Sequence, residues 1–164
     1  MKLVLATQNP KKLKEMNEIL SHLGVEVVSE AELGVRIEVE ETGETFTDNA
    51  RLKATAVMQA TGLPAVADDS GLCVDALNGG PGGYSARFGG EGLDDKGRYT
   101  LLLEMLRGQT DRAAHFHTSI VCAFPNGDEL VCEGECPGTI AFAPMGEGGF
   151  GYDPVFLSLI HISE

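Results

Sequence analysis

Leu3-Val4-Leu5-Ala6-Thr7-Gln8-Asn9-Pro10-Lys11-Lys12-Leu13 opens on an apolar run and breaks on polar residues and a proline. So short a run, stopped by turn formers, reads as a buried strand ending in a loop. Asn9 stands where an N-cap belongs. Pro10 suits the first helical position, because the N–H it lacks has no intrahelical partner there. Leu13, Met16, Leu20 and Leu23 then recur at helical spacing until Gly24 ends the pattern. The opening unit is therefore strand, loop, helix.

Outward from that unit the pattern repeats with variations. Residues 25–28 read as a second strand, and Phe46, Ala50, Lys53, Val57 and Ala60 fall on one stripe of a second helix ending near Gly62. A third strand over 64–67 runs into Asp68-Asp69-Ser70-Gly71, followed by a short strand at 72–74 and a glycine-rich loop at 78–83. Leucines over 99–106 predict a third helix. Segments 115–124 and 129–132 flank Pro125-Asn126-Gly127-Asp128, whose Asn-Gly pair signals a hairpin. Helices interleaved with strands plus an antiparallel hairpin predict a mixed α/β sheet with flanking helices. No internal repeat or disordered linker interrupts it.

With 164 residues, 43% of them hydrophobic, the chain has material for one core, and we expect a single domain over 1–156, of two lobes, with an atypical tail at 157–164. A formal net charge of −13 opposes a groove for polymeric nucleic acid. No apolar stretch is long enough to span a bilayer and no secretion signal precedes Lys2, so no membrane partner and a cytoplasmic home are expected. Cys73, Cys122, Cys132 and Cys136 lack a Cys-x-x-Cys pair and read as reduced thiols. A zinc site from Cys132 and Cys136 with His115 and His117 is the weaker reading.

Chemistry concentrates in a few places. The loop from Thr7 to Lys12 feeds a helix N-terminus, where free N–H groups and the helix dipole favour an anion. Lys11, Lys12 and Lys14 form the tight basic cluster of an acidic chain, serving either a phosphate or a solvated helix face. Glycines and the Gly-Lys-Ser/Thr ending of a P-loop are missing. Lys53 sits on the inward stripe of its helix, where an unpaired ammonium is costly, so it needs an anion: a substrate phosphate, or Glu40 or Glu41. Asp68-Asp69 follows a strand directly; the pair serves a ligand at the strand's end or merely opens a turn. Adjacent strand residues face opposite sides, so one aspartate faces a reacting phosphate while the other supports it. Glu38, Glu40 and Glu41 add oxygens, and a hard oxygen set without sulfur or imidazole suits Mg2+.

Gly146-Glu147-Gly148-Gly149-Phe150-Gly151 matches a dinucleotide fingerprint by letters, but Tyr152-Asp153-Pro154 follows instead of a helix, so that reading fails. The loop instead presents Phe150 and Tyr152 to a flat base and Asp153 as an acceptor, or it is a tight turn with its aromatics in the core.

Together these segments resemble the inosine triphosphate pyrophosphatase, or Ham1-like, family. The resemblance runs from residue 1 to about 156. It is carried by Leu-Ala-Thr-Gln-Asn-Pro-Lys-Lys, Glu-Glu-Thr-Gly-Glu-Thr-Phe with Asn49-Ala50 and Lys53-Ala54, Ala67-Asp68-Asp69-Ser70-Gly71-Leu72, Pro81-Gly82-Gly83-Tyr84-Ser85-Ala86-Arg87 and Gly148-Gly149-Phe150-Gly151-Tyr152-Asp153-Pro154. It implies an elongated mixed sheet with two lobes around a central cleft, a homodimer, and magnesium-dependent hydrolysis of purine nucleoside triphosphates such as ITP, dITP and XTP to the monophosphate and pyrophosphate.

By position, Thr7, Gln8, Asn9, Pro10, Lys11 and Lys12 would bind the substrate, Lys53 would act with them in catalysis, and Glu40 and Asp69 would serve the metal. Asp69 would also act as the base, Asp68 would support it, and Ser70 with Phe150, Gly151, Tyr152 and Asp153 would contact the nucleotide. The ending Leu157-Ser158-Leu159-Ile160-His161-Ile162-Ser163-Glu164 departs from the family's Ser-His-Arg segment and reads as an incomplete terminus. The rival readings are a Maf-like pyrophosphatase with other substrates and a nucleotide-binding protein that has lost turnover.

Overall fold

The computed structural model describes residues 1–7, 10–90, 92–145 and 151–158. In chain order its elements are β1 (Lys2–Leu5), α1 (Pro10–Ser21), β2 (Glu26–Ser29), α2 (Phe46–Thr61), β3 (Ala65–Val74), β4 (Gly80–Pro81), α3 (Asp95–Met105), β5 (Ala113–Ala123), β6 (Glu129–Ile140) and β7 (Phe156–Ser158). The strands order as β2-β1-β3-β5-β6-β7, with β4 added on β3. β1 runs parallel to both β2 and β3, whereas β3–β4 and β6–β7 are antiparallel, which makes the fold mixed α/β.

The chain divides into two compact units, Met1–Asp69 with Ser119–Glu133, and Ser70–Thr118 with Gly134–Glu164. In the first, Leu13, Met16 and Leu20 of α1 pack on Leu3, Leu5, Val27 and Val66. Leu23 lies past the end of that helix and is 72% exposed, so the buried stripe stops one turn earlier than its spacing predicts. The side chain of Thr45 caps α2 by accepting from the Asp48 N–H, and Ala50 and Ala54 pack against Ala67, Val121 and Ala123. Side chains this small let a helix approach a sheet closely. Val57 continues the stripe onto Val4, Val28 and Ala65, while Ala60 is exposed.

Two strands run farther than the sequence predicts. β3 is one strand through Asp68-Asp69-Ser70-Gly71, not two pieces joined by a turn. Its pairing with β1 stops at Leu5↔Val66, with a last hydrogen bond from the Ala6 N–H to the Val66 carbonyl, yet β5 remains its neighbour on the other side. That ladder overrides the local turn preference, so the two aspartates sit inside β3, just past the carboxyl end of β1. β6 likewise continues beyond residue 132, through Gly134, Pro137 and Gly138, to Ile140. Gly138 pairs with Ser158 of β7, and a Cβ there would collide with the Leu157 carbonyl and the Phe156 ring. The close approach requires glycine, which a strand-propensity reading penalises. Leu157 and Ser158, expected in the tail, thus belong to the sheet; residues 159–164 lie outside the described residues.

The expected hairpin forms, with the Phe124 N–H donating to Asp128 O and the Gly127 N–H to Phe124 O, each at 3.0 Å. The second unit centres on Leu72, Val74, Leu102, Leu106, Ala114, Ile140, Tyr152 and Val155. Buried Arg112 is satisfied by the carbonyls of Leu106, Ile140 and Ala141. Because Leu102 is fully buried in this cluster, Leu102→Ala is expected to lower unfolding free energy by about 2–5 kcal/mol, read from urea denaturation.

Candidate active site

In the first unit the two aspartates of β3 draw lysines from two helices. Asp68 accepts from Lys12 at the start of α1, Nζ to Oδ2 at 2.7 Å. Lys53, reaching inward from α2, donates to the Asp68 backbone carbonyl at 2.6 Å and stands 3.2 Å from Glu41 Oε1 and 3.9 Å from Asp69 Oδ1. The ammonium that needed an anion therefore has Glu41 and Asp69. Of the two glutamates the sequence left open as its partner, Glu41 is half-buried at Lys53, whereas Glu40 is exposed.

Asp69 is the most perturbed group of this cluster. Only 8% of it is exposed, and burial raises its carboxyl to about 6, with Lys53 opposing, Glu41 adding to the rise, a hydrogen bond from Asn49 opposing and Asp68 adding. Its Oδ2 is buried without a hydrogen-bond partner. Asn49, to which the sequence alone assigns no role, is held in place from behind: its Oδ1 accepts from the Gly43 N–H at 2.8 Å. A Cβ at Gly43 would stand 2.6 Å from Asp48 Cβ and 2.8 Å from Asn49 Oδ1, so this glycine lets the 41–43 segment close on the helix.

Thr7 and Lys53 share the wall of a cavity of about 260 Å³ with Glu30, Ile37, Glu38 and Val39. Thr7 and Pro10 also border a neighbouring one of about 350 Å³. Glu30, unsuspected from sequence, is 7% exposed, and burial raises its carboxyl. Lys11 is exposed on α1; Gln8 and Asn9 lie outside the described residues.

In the second unit Ser70 exchanges a hydrogen bond with Thr118 at 2.9 Å and borders a cavity of about 230 Å³ with Arg98, Phe116, Gly151, Tyr152 and Asp153. Tyr152 does not lie on an open loop: it belongs to the core, its hydroxyl donates to the Ser85 carbonyl at 2.7 Å, and burial pushes that hydroxyl up to about 12. Of the two positions expected for its ring, the structure takes the core one. The Gly151 N–H donates to Asp95, Asp153 is exposed, and Phe150 lies outside the described residues.

A buried carboxylate oxygen without a donor, beside two more carboxylates, calls for a cation. Lys12 and Lys53, paired with these same carboxylates, bring two positive charges to the site. The donor set is all oxygen and holds few protein carboxylates, which fits magnesium.

The sequence profile of the Ham1 family matches residues 3–161. The chain belongs to the Ham1 family. Its relatives include the dITP/XTP pyrophosphatase of Exiguobacterium sp., 49% identical over 96% of this chain and 80% of that protein, and that of Desulforamulus reducens, 53% identical over 95% and 79%. Among solved structures, the Staphylococcus aureus Ham1 protein superposes with a TM-score of 0.89 at 42% identity, covering 95% of this chain and 80% of that one. A Mycobacterium abscessus structure described as a nucleoside-triphosphatase / dITP/XTP pyrophosphatase gives 0.87 at 46% identity, covering 97% and 84%. The mixed α/β fold is that of the solved Ham1 proteins.

The raised Asp69 carboxyl has a consequence for stability. An unfolded aspartate titrates near 3.9, and the folded one near 6, so between those values the folded form binds the extra proton and stability falls as pH rises. Asp69→Asn removes this dependence. In chelator, the variant's unfolding free energy relative to the parent is expected to grow by roughly 2–3 kcal/mol between about pH 4 and about pH 8; parallel curves would contradict the burial of a charged carboxylate there.

Proposed function

We propose that this Ham1 chain hydrolyses non-standard purine nucleoside triphosphates, dITP, ITP and XTP, to the monophosphate and pyrophosphate. The observation carrying this reading is the unpartnered Oδ2 of buried Asp69 beside lysines from two helices. The names of its relatives favour dITP and XTP over the substrates of a Maf-like enzyme.

In this reading Thr7, Gln8, Asn9, Pro10, Lys11 and Lys12 bind the triphosphate at the helix N-terminus, where N–H groups and dipole favour the anion. Asp69 orients a water and takes its proton while the water oxygen attacks the α phosphorus and the bond to the α–β bridging oxygen breaks. With its midpoint near 6 in the metal-free protein, the carboxyl is still ionised at neutrality and able to accept a proton. Lys12 and Lys53 stabilise charge growing on the departing pyrophosphate. Asp68 positions both lysines, Lys12 through its carboxylate and Lys53 through its backbone carbonyl. Magnesium would be held by Asp69 with Glu41 or the neighbouring Glu40 of the sequence reading; when bound it neutralises phosphate charge and makes water more acidic. Ser70 follows Asp69 in β3 and is proposed to touch the nucleotide, as are Phe150, Gly151, Asp153 and the cavity-facing edge of Tyr152. A homodimer and a cytoplasmic setting complete the reading.

Release of pyrophosphate tests it. With magnesium, dITP and XTP are expected to be turned over well ahead of ATP. Asp69→Asn is expected to lose about 10²–10⁴-fold in kcat while keeping its fold; near-parental turnover in that variant, or equal use of ATP, would overturn the assignment. Asn49→Ala, by removing the donor that orients the Asp69 carboxylate, is expected to lower kcat by roughly tenfold with little change in KM, a drop in transition-state stabilisation of about 1.4 kcal/mol. Steady-state kinetics checks it.

A further inference from the structure

A second cluster of ligating atoms lies in the second unit, and the proposed hydrolysis does not use it. His115 and His117 are two residues apart in β5, so both side chains leave the same face of the strand. Phe116 between them faces the core, where its ring meets Phe156 edge-on with centroids 4.7 Å apart, which pins the backbone that carries the two imidazoles. On the neighbouring strand β6, Glu135 places Oε1 3.2 Å from His117 Nδ1 and 3.8 Å from His115 Nε2. One ligand atom from each of the three residues lies within 4.8 Å of the other two.

We propose that His115, His117 and Glu135 form a binding site for a zinc-class divalent ion. Two ligands at zinc bond lengths in a tetrahedral arrangement are about 3.4 Å apart, and the two histidine–carboxylate distances, 3.2 and 3.8 Å, bracket that value. Two imidazoles and one carboxylate prefer zinc, cobalt or nickel to magnesium, which takes oxygen. A carboxylate facing two imidazoles is a weak clasp without a metal, since exposed ion pairs add little to stability, and Glu135 is 61% exposed on its side chain. Three protein ligands leave one position for water.

The cysteines weighed with these histidines in the sequence are not among the clustered atoms. Cys136 Sγ instead meets Ser158 Oγ at 3.2 Å. The missing partner is Glu135, one residue before that cysteine. A bound ion would clip β5 to β6 and, by binding the folded form alone, raise its melting temperature.

The test uses the full chain, stripped of metal and then held in excess magnesium, titrated with zinc and with cobalt as a spectroscopic stand-in. The expected result is one zinc per chain at about pH 7.5, a melting temperature raised by several degrees, and a cobalt spectrum without a thiolate charge-transfer band. His115→Gln and Glu135→Gln should each weaken zinc at least tenfold, while Cys136→Ser and Asp69→Asn leave it unchanged. Glu135 is exposed, so its variant stays informative should a histidine variant fold poorly. Pyrophosphate release by magnesium-loaded His115→Gln and Glu135→Gln should equal the parent's, which separates this site from the one around Asp69. Unchanged zinc affinity in Glu135→Gln, or a thiolate band lost in Cys136→Ser, would overturn the proposal.

Discussion

Asp69 is kept out of water with one carboxylate oxygen unmatched, and the rest of the first unit is arranged around that deficit. Desolvating a carboxylate is expensive unless something charged or hydrogen-bonding repays it. Part of the repayment is protein: Lys53 at 3.9 Å and the Asn49 amide. The remainder is, on the proposed function, the share of a bound cation. Lys53 can reach the aspartates because Ala50, Ala54 and Val57 let α2 lie close on the sheet, and Asn49 can reach Asp69 because Gly43 lets the acidic segment fold back on the helix. Packing of methyl-sized groups thus sets the electrostatics of the site.

Much of this was legible because it is local. An apolar run stopped at Thr7 and a proline at a helix start announce β1 and α1, and a lysine on an apolar stripe announces a buried ammonium in search of an anion. What stayed hidden depends on strands that are distant in sequence. Asp-Asp-Ser-Gly looks like a turn until β5 supplies a ladder beside it, and Gly134 to Gly138 looks like a break until β5 and β7 flank it. Asn49 and Glu41 gain their roles only once residues 41–43 close on α2. Tyr152, a candidate base-stacking ring by its glycine-rich neighbourhood, is claimed by the core because the Ser85 carbonyl accepts its hydroxyl.

On the two proposals made above, the same logic separates two kinds of metal chemistry within one chain. Around Asp69 the donors are oxygens and the neighbours are lysines, the combination for a hard ion carrying phosphate. At His115, His117 and Glu135 the donors are mostly nitrogen and the combination favours a borderline ion. The histidine pair was visible in the sequence, but its carboxylate sits on another strand and only the pairing of β5 with β6 brings it there.

Residue-specific carbon NMR of the aspartate carboxyls tests the central claim most directly. In the metal-free protein Asp69 should titrate near 6, and adding magnesium should move that midpoint well below the ordinary aspartate range. A midpoint near 3.9 that magnesium does not move would mean that Asp69 is an ordinary solvated carboxylate, and the account of this site would fail.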